Sequence, residues 1–136
     1  MSEEAASASA APSKIEFVKS DAPQTDGPSC TDGMGSCIEL NNGVLMPWVG
    51  LGCYRLKDKA QTVVENGLEV GYRNIDTAFI YDGGKNEGHV GKAIKSSKVP
   101  REEIFVTTKQ WRKHHGYEET VKNLGQSLKR LGLDYV

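Results

Sequence analysis

Apolar and polar positions change period several times along residues 37–136, and each change marks an element. Cys37-Ile38-Glu39-Leu40 alternates, Asn41-Asn42-Gly43 interrupts, and Val44-Leu45-Met46 returns; the pattern predicts a hairpin closed by a type I′ turn. Trp48-Val49-Gly50-Leu51-Gly52 is a short apolar run of the kind a buried strand makes. Asp58 then offers an N-cap with Gln61 three residues on, and Ala60, Val63, Val64 and Leu68 recur at helical spacing until Gly71 ends the run. A second strand is expected over residues 72–78, and a helix over 87–96 carrying Val90, Ala93 and Ile94. Residues 104–109 are β-branched and aromatic in character and predict a third strand. Val121, Leu124, Leu128 and Leu131 make one apolar stripe, with Gly132 as C-cap, and predict a third helix. Residues 133–136 are expected to begin another strand.

Strands alternating with helices imply βαβ units, an α/β fold and a parallel sheet, as either an open doubly wound sheet or the first part of a barrel. In both, ligands gather at the carboxyl ends of the strands. The polar residues there are Cys53-Tyr54, Asp76 with Tyr81, and Lys109 with Trp111.

Charge and composition separate the chain into two parts. Of its 17 Lys+Arg and 18 Asp+Glu, residues 1–36 hold only Lys14 and Lys19 against Glu3, Glu4, Glu16, Asp21, Asp26 and Asp32. That segment is rich in Ala, Ser, Pro and Gly and has Phe17 as its only aromatic. It is expected to be a disordered acidic tail, because it cannot bury enough apolar surface to offset its ordering entropy. Having no Arg and no apolar core, it fits neither a transit nor a signal peptide. Residues 37–136 are then the folded domain. The near-neutral balance argues against a nucleic-acid partner, and no apolar run approaches the roughly 18 to 20 residues of a membrane span. Three cysteines without CxxC spacing suggest no disulfide framework, so a reducing, cytoplasmic location is expected. His114-His115 lacks a third ligand and reads as a loop, with no metal expected. Gly50-Leu51-Gly52 lacks the third glycine of a dinucleotide fingerprint, and Gly91-Lys92 lacks the rest of a P-loop.

Taken singly, a strand-end Asp fits a turn, a loop Tyr fits packing and a Lys fits solvent. Taken together, a carboxylate, a phenol and an ammonium can converge at one strand mouth. A free tyrosine has a pKa near ~10, and a nearby cation stabilises its phenolate and lowers that value. Asp76 would orient the lysine rather than move a proton. Such a tyrosine suits protonation of a carbonyl oxygen as hydride arrives at carbon.

Gly71-Tyr72-Arg73-Asn74-Ile75-Asp76-Thr77-Ala78, then Tyr81, then Glu87-Gly88-His89-Val90-Gly91 resembles the first signature of the aldo-keto reductases. Phe105-Val106-Thr107-Thr108-Lys109-Gln110-Trp111 resembles that family's third-strand segment, and the likeness runs in order through residues 37–136. It implies Tyr81 as proton donor, Lys109 as its tuning cation and Asp76 as the partner of Lys109. It also implies contacts of Gly52, Cys53, Tyr54 and Asp76 with NADPH, and of Tyr54, Ile80 and Trp111 with a small carbonyl substrate. The implied fold is a (β/α)8 barrel preceded by a hairpin. A barrel of that type needs roughly 250 residues, so the chain is expected to be its N-terminal part, about three βα units, ending as the fourth strand begins. As an alternative, the chain is an inactive or regulatory binding protein on the same scaffold. Oligomeric state is not legible. The sequence departs from the family pattern at Asn74, at Cys53 where Thr is common, and in the Phe79 to Asn86 loop, which is longer than usual.

Overall fold

A computed structural model describes residues 36–136; the expected tail, residues 1–36, lies outside the described residues apart from Ser36. Strand β1 (Cys37–Glu39) pairs antiparallel with β2 (Leu45–Pro47), with Ile38 opposite Met46. The turn differs from expectation. Only Gly43 has positive φ (81°), Gly43 N donates to Leu40 O (2.9 Å), and Asn42 Oδ1 accepts from Val44 N (3.2 Å). A type I′ turn needs two left-handed residues; here a three-residue loop places the one left-handed position on glycine. Cys37 is disulfide-bonded, a pairing that the cysteine count and spacing did not suggest.

The second sheet is parallel, in the order β3 (Gly50–Gly52), β4 (Asn74–Asp76), β5 (Phe105–Thr107). Helix α1 (Ala60–Glu69) joins β3 to β4, α2 (Lys85–Ser96) joins β4 to β5, and α3 (Tyr117–Leu131) follows β5. The register aligns Leu51, Ile75 and Val106 in one row and Gly52, Asp76 and Thr107 in the next. Because strand side chains alternate faces, the apolar row meets the helices. Ile75 and Val106 pack with Cys53, Val64, Leu68, Val90, Ala93, Ile94, Ile104 and Leu131 in one buried cluster. The Asp76 row lies on the other face, at the carboxyl end.

Helix starts and faces depart from the pattern in three places. A 3-10 turn, Lys57–Lys59, occupies the expected cap of α1; Asp58 makes no capping bond there, and Gln61 Nε2 donates to Glu65 Oε1 instead (2.9 Å). On α3 the buried positions are Asn123, Ser127 and Leu131, while Leu124 is exposed. Asn123 and Ser127 are buried with hydrogen bonds inside α3, and of the expected stripe Leu131 reaches the core, Val121 and Leu128 are partly buried and only Leu124 is exposed. Residues 133–136 form no strand: Leu133 packs on the core, Arg101 Nη2 donates to Tyr135 O (2.8 Å), and its guanidinium lies 3.9 Å from the Tyr135 ring. Gly132, at φ 66°, ends α3 as expected. The hairpin is tied to the sheet by Asn74 Nδ2, which donates to Pro47 O (3.1 Å).

Candidate active site

The carboxyl ends of β4 and β5 bring three of the expected residues together. Asp76 closes β4 and Lys109 lies two residues beyond β5, in adjacent parallel strands. Lys109 Nζ donates to Asp76 Oδ1 (2.5 Å) and to Thr77 O (2.9 Å), and stands 3.4 Å from the Tyr81 hydroxyl. The ammonium is thereby fixed on two sides by acceptors and offers its third side to the phenol. Backbone bonds extend this alignment past the strands, with Thr77 N donating to Thr107 O (2.8 Å) and Phe79 N to Lys109 O (3.2 Å).

The long loop leaves Tyr81 in reach of Lys109. Asp82, Gly83 and Gly84 follow it with φ of 50°, 62° and 91°, a left-handed run that takes up the extra length before α2 begins. Glycine tolerates that conformation without the steric cost a Cβ would bring. Tyr81 stacks at 4.9 Å, tilted, on Tyr54, which is 59% exposed, and Arg55 lies 5.1 Å from the Tyr54 ring. Beside them Gly52 has open space where a Cβ would project.

The remaining expected residues divide. Ile80 is 39% exposed next to Tyr81, and Trp111 is half-buried with Arg112 5.4 Å from its ring. Cys53 is fully buried in the core; its backbone N donates to Asp76 O (2.9 Å) and its carbonyl accepts from Asn86 Nδ2 (3.0 Å). Burial pushes its thiol up to about 11, with the Asp76 carboxylate adding to the rise and Lys109 opposing it. The Cys53 side chain therefore serves the core, and only Gly52 and Tyr54 of this segment face outward. His114 packs edge-on to Phe79 at 5.6 Å. Among the described residues no group of three His, Cys, Asp or Glu could hold a metal, and no helix is long and apolar enough to cross a membrane.

A buried polar layer beneath the site was not assigned from sequence. Thr77 Oγ1 donates to Asn86 Oδ1 (2.7 Å), and Thr108 Oγ1 to Glu87 Oε1 (2.6 Å). Glu87 also accepts from Arg130 Nε (2.6 Å). The signal was present: Glu87, Val90 and Ile94 share one helix face at i, i+3 and i+7, so an acid on that face had to be buried and paired.

The family model described as "Aldo/keto reductase family" matches residues 49–136. Among curated relatives, glycerol 2-dehydrogenase (NADP(+)) of Saccharomyces cerevisiae is 54% identical over 100 residues, covering 73% of this chain and 30% of that protein. Glyoxal reductase of Bacillus subtilis is 48% identical over 101 residues, covering 73% and 36%. Among solved structures, an aldo-keto reductase of Bombyx mori in complex with NADP gives a TM-score of 0.67 at 40% identity, covering 74% of this chain and 35% of that one. The chain thus spans about a third of the length of the proteins it matches.

Proposed function

The chain belongs to the aldo/keto reductase family, and from that premise we propose that the protein carrying it reduces small aldehydes or ketones to alcohols with NADPH, its three parallel strands forming part of a (β/α)8 barrel. The single observation that carries this reading is Lys109 Nζ held between Asp76 Oδ1 (2.5 Å) and the Tyr81 hydroxyl (3.4 Å). The relatives named above supply the cofactor and the substrate class.

Tyr81 is the proton donor. Its hydroxyl hydrogen-bonds the carbonyl oxygen and transfers its proton as that oxygen becomes an alkoxide, which avoids a free oxyanion. Lys109 stabilises the phenolate left behind, because an ammonium a few ångströms away offsets its charge. Asp76 and the Thr77 carbonyl hold the ammonium in that direction, so it needs no rearrangement at the moment of transfer. When bound, the nicotinamide supplies hydride to the carbonyl carbon. The residues present suit a flat ring: Gly52 leaves open space beside the exposed face of Tyr54, at the mouth where Asp76 ends its strand. Ile80 and Trp111 would line the substrate side.

The test is reduction of a small aldehyde, followed by loss of NADPH absorbance, in the protein carrying this sequence. Tyr81→Phe keeps the ring and removes the proton, so the rate should fall by about 10²- to 10⁴-fold, while NADPH still quenches intrinsic fluorescence. A Phe variant at the parent rate would overturn the assignment. Binding of NADPH without any turnover in the parent would favour a binding protein on this scaffold.

A further inference from the structure

Glu87 has no exposure to solvent, and a carboxylate removed from water is costly unless paired and hydrogen-bonded. Its partners all lead to the Tyr81–Lys109 corner. Oε1 accepts from Thr108, the residue before Lys109 (2.6 Å), and Oε2 accepts from Arg130 Nε (2.6 Å), with Nη2 of the same guanidinium in ion-pair contact at 2.5 Å and donating to Ser127 Oγ (3.3 Å). The Arg130 guanidinium in turn lies 4.4 Å from the Phe79 ring, and its Nε is 3.5 Å from where a Cβ on Gly84 would stand. Phe79 and Gly84 bracket Tyr81. One ion pair therefore grips the lysine strand with its acid and the tyrosine loop with its base.

Stability alone is a poor reason for such a pair, since apolar residues of similar volume often serve as well or better. What it provides is direction: a carboxylate held on one oxygen by Thr108 and on the other by the Arg130 guanidinium ties the lysine strand to α3 through charge-assisted hydrogen bonds. We propose that Glu87 and Arg130 are a positioning pair that sets the distance between Lys109 Nζ and the Tyr81 hydroxyl, although neither touches substrate. The proposal rests on the reading of Asp76, Tyr81 and Lys109 as the reactive corner, and it makes α3, through Arg130, a structural input to that corner.

The experiment reads Lys109 directly and needs no turnover. Reductive methylation of the full chain, followed by peptide mapping, gives the reaction rate of Lys109 relative to the exposed Lys92 and Lys129. Thr108→Val keeps the side-chain bulk and removes the hydrogen bond to Glu87; Thr108→Ser keeps the bond and removes the methyl group. The Val variant should raise the relative rate of Lys109 about threefold or more, within the worth of one charged hydrogen bond, and the Ser variant should stay at the parent value. A packing role for Thr108 predicts the reverse order. Arg130→Met should act like Thr108→Val where it folds, and where it does not, the Val and Ser pair decides. Equal Lys109 reactivity in parent and Val variant would overturn the proposal. Should Lys109 respond as expected while Tyr81→Phe still reduces aldehydes at the parent rate, the assignment of Tyr81 as proton donor fails and the positioning pair stands.

Discussion

The two ends of the parallel sheet carry the same kind of ion pair and put it to different use. At the amino end, Arg73 pairs with Glu103 at 3.7 Å, and its Nη1 donates to Leu68 O and Tyr72 O (2.9 Å each). Those carbonyls belong to the end of α1 and the turn after it, so the cation caps a helix terminus. At the carboxyl end, Lys109 pairs with Asp76 at 2.5 Å and also donates to a backbone carbonyl, yet its remaining side faces a phenol. Both pairs are partly exposed, where such contacts are worth only about 0 to 1 kcal/mol. What separates them is the third partner, backbone in one case and a titratable hydroxyl in the other.

Lys109→Met should break this comparison most visibly. With the cation gone, aldehyde reduction per folded molecule should fall by about 10²- to 10⁴-fold, the range of a lost acid–base contribution, while a thermal melt stays close to the parent. Gly91→Ala should act first on the fold, and on the chemistry only through the Glu87–Arg130 pair that joins the same two helices. A Cβ there would lie 1.9 Å from the Leu131 carbonyl oxygen, forcing α2 and α3 apart at a cost of about 1–3 kcal/mol, to be read from urea unfolding. Arg73→Met should lower stability by about 0.5–1.5 kcal/mol through its lost backbone bonds, with no change in rate per folded molecule.

These contrasts also mark how far the sequence could be read. Asp76, Tyr81 and Lys109 were legible because strand ends in a parallel sheet converge and because the motifs around them resemble a family. The position of α3 was not. Its apolar stripe suggested that Leu124 would be buried, but Asn123 and Ser127 take the inner face, with Asn123 Nδ2 satisfied by Glu119 O (2.7 Å). Periodicity counts apolar residues and does not register polar ones whose hydrogen bonds allow burial. Residues 133–136 read as a strand by composition, yet the Tyr135 carbonyl accepts from the Arg101 side chain and not from a strand, and composition does not register such a side-chain competitor. The hairpin turn was misread because Asn-Gly serves more than one turn type.

Cys53 gives an effect confined to alkaline pH. Its thiol is raised to about 11 by burial, so the folded chain holds that proton more tightly than the unfolded chain does. Stability should therefore be intact below the ordinary thiol range and decline as pH rises from about 9 toward 11. Cys53→Ser, whose hydroxyl does not ionise there, should flatten that part of a stability-against-pH curve.

The most direct test exchanges the acid of each pair for its neutral amide and reads rate and melting midpoint in the same samples. Asp76→Asn should cut NADPH-dependent aldehyde reduction at least about tenfold with the midpoint unchanged, and Glu103→Gln should leave the rate within about twofold of the parent, since an exposed pair is worth little. Equal rates in the two variants would contradict the account, because the carboxyl-end pair would then be no more than another surface contact.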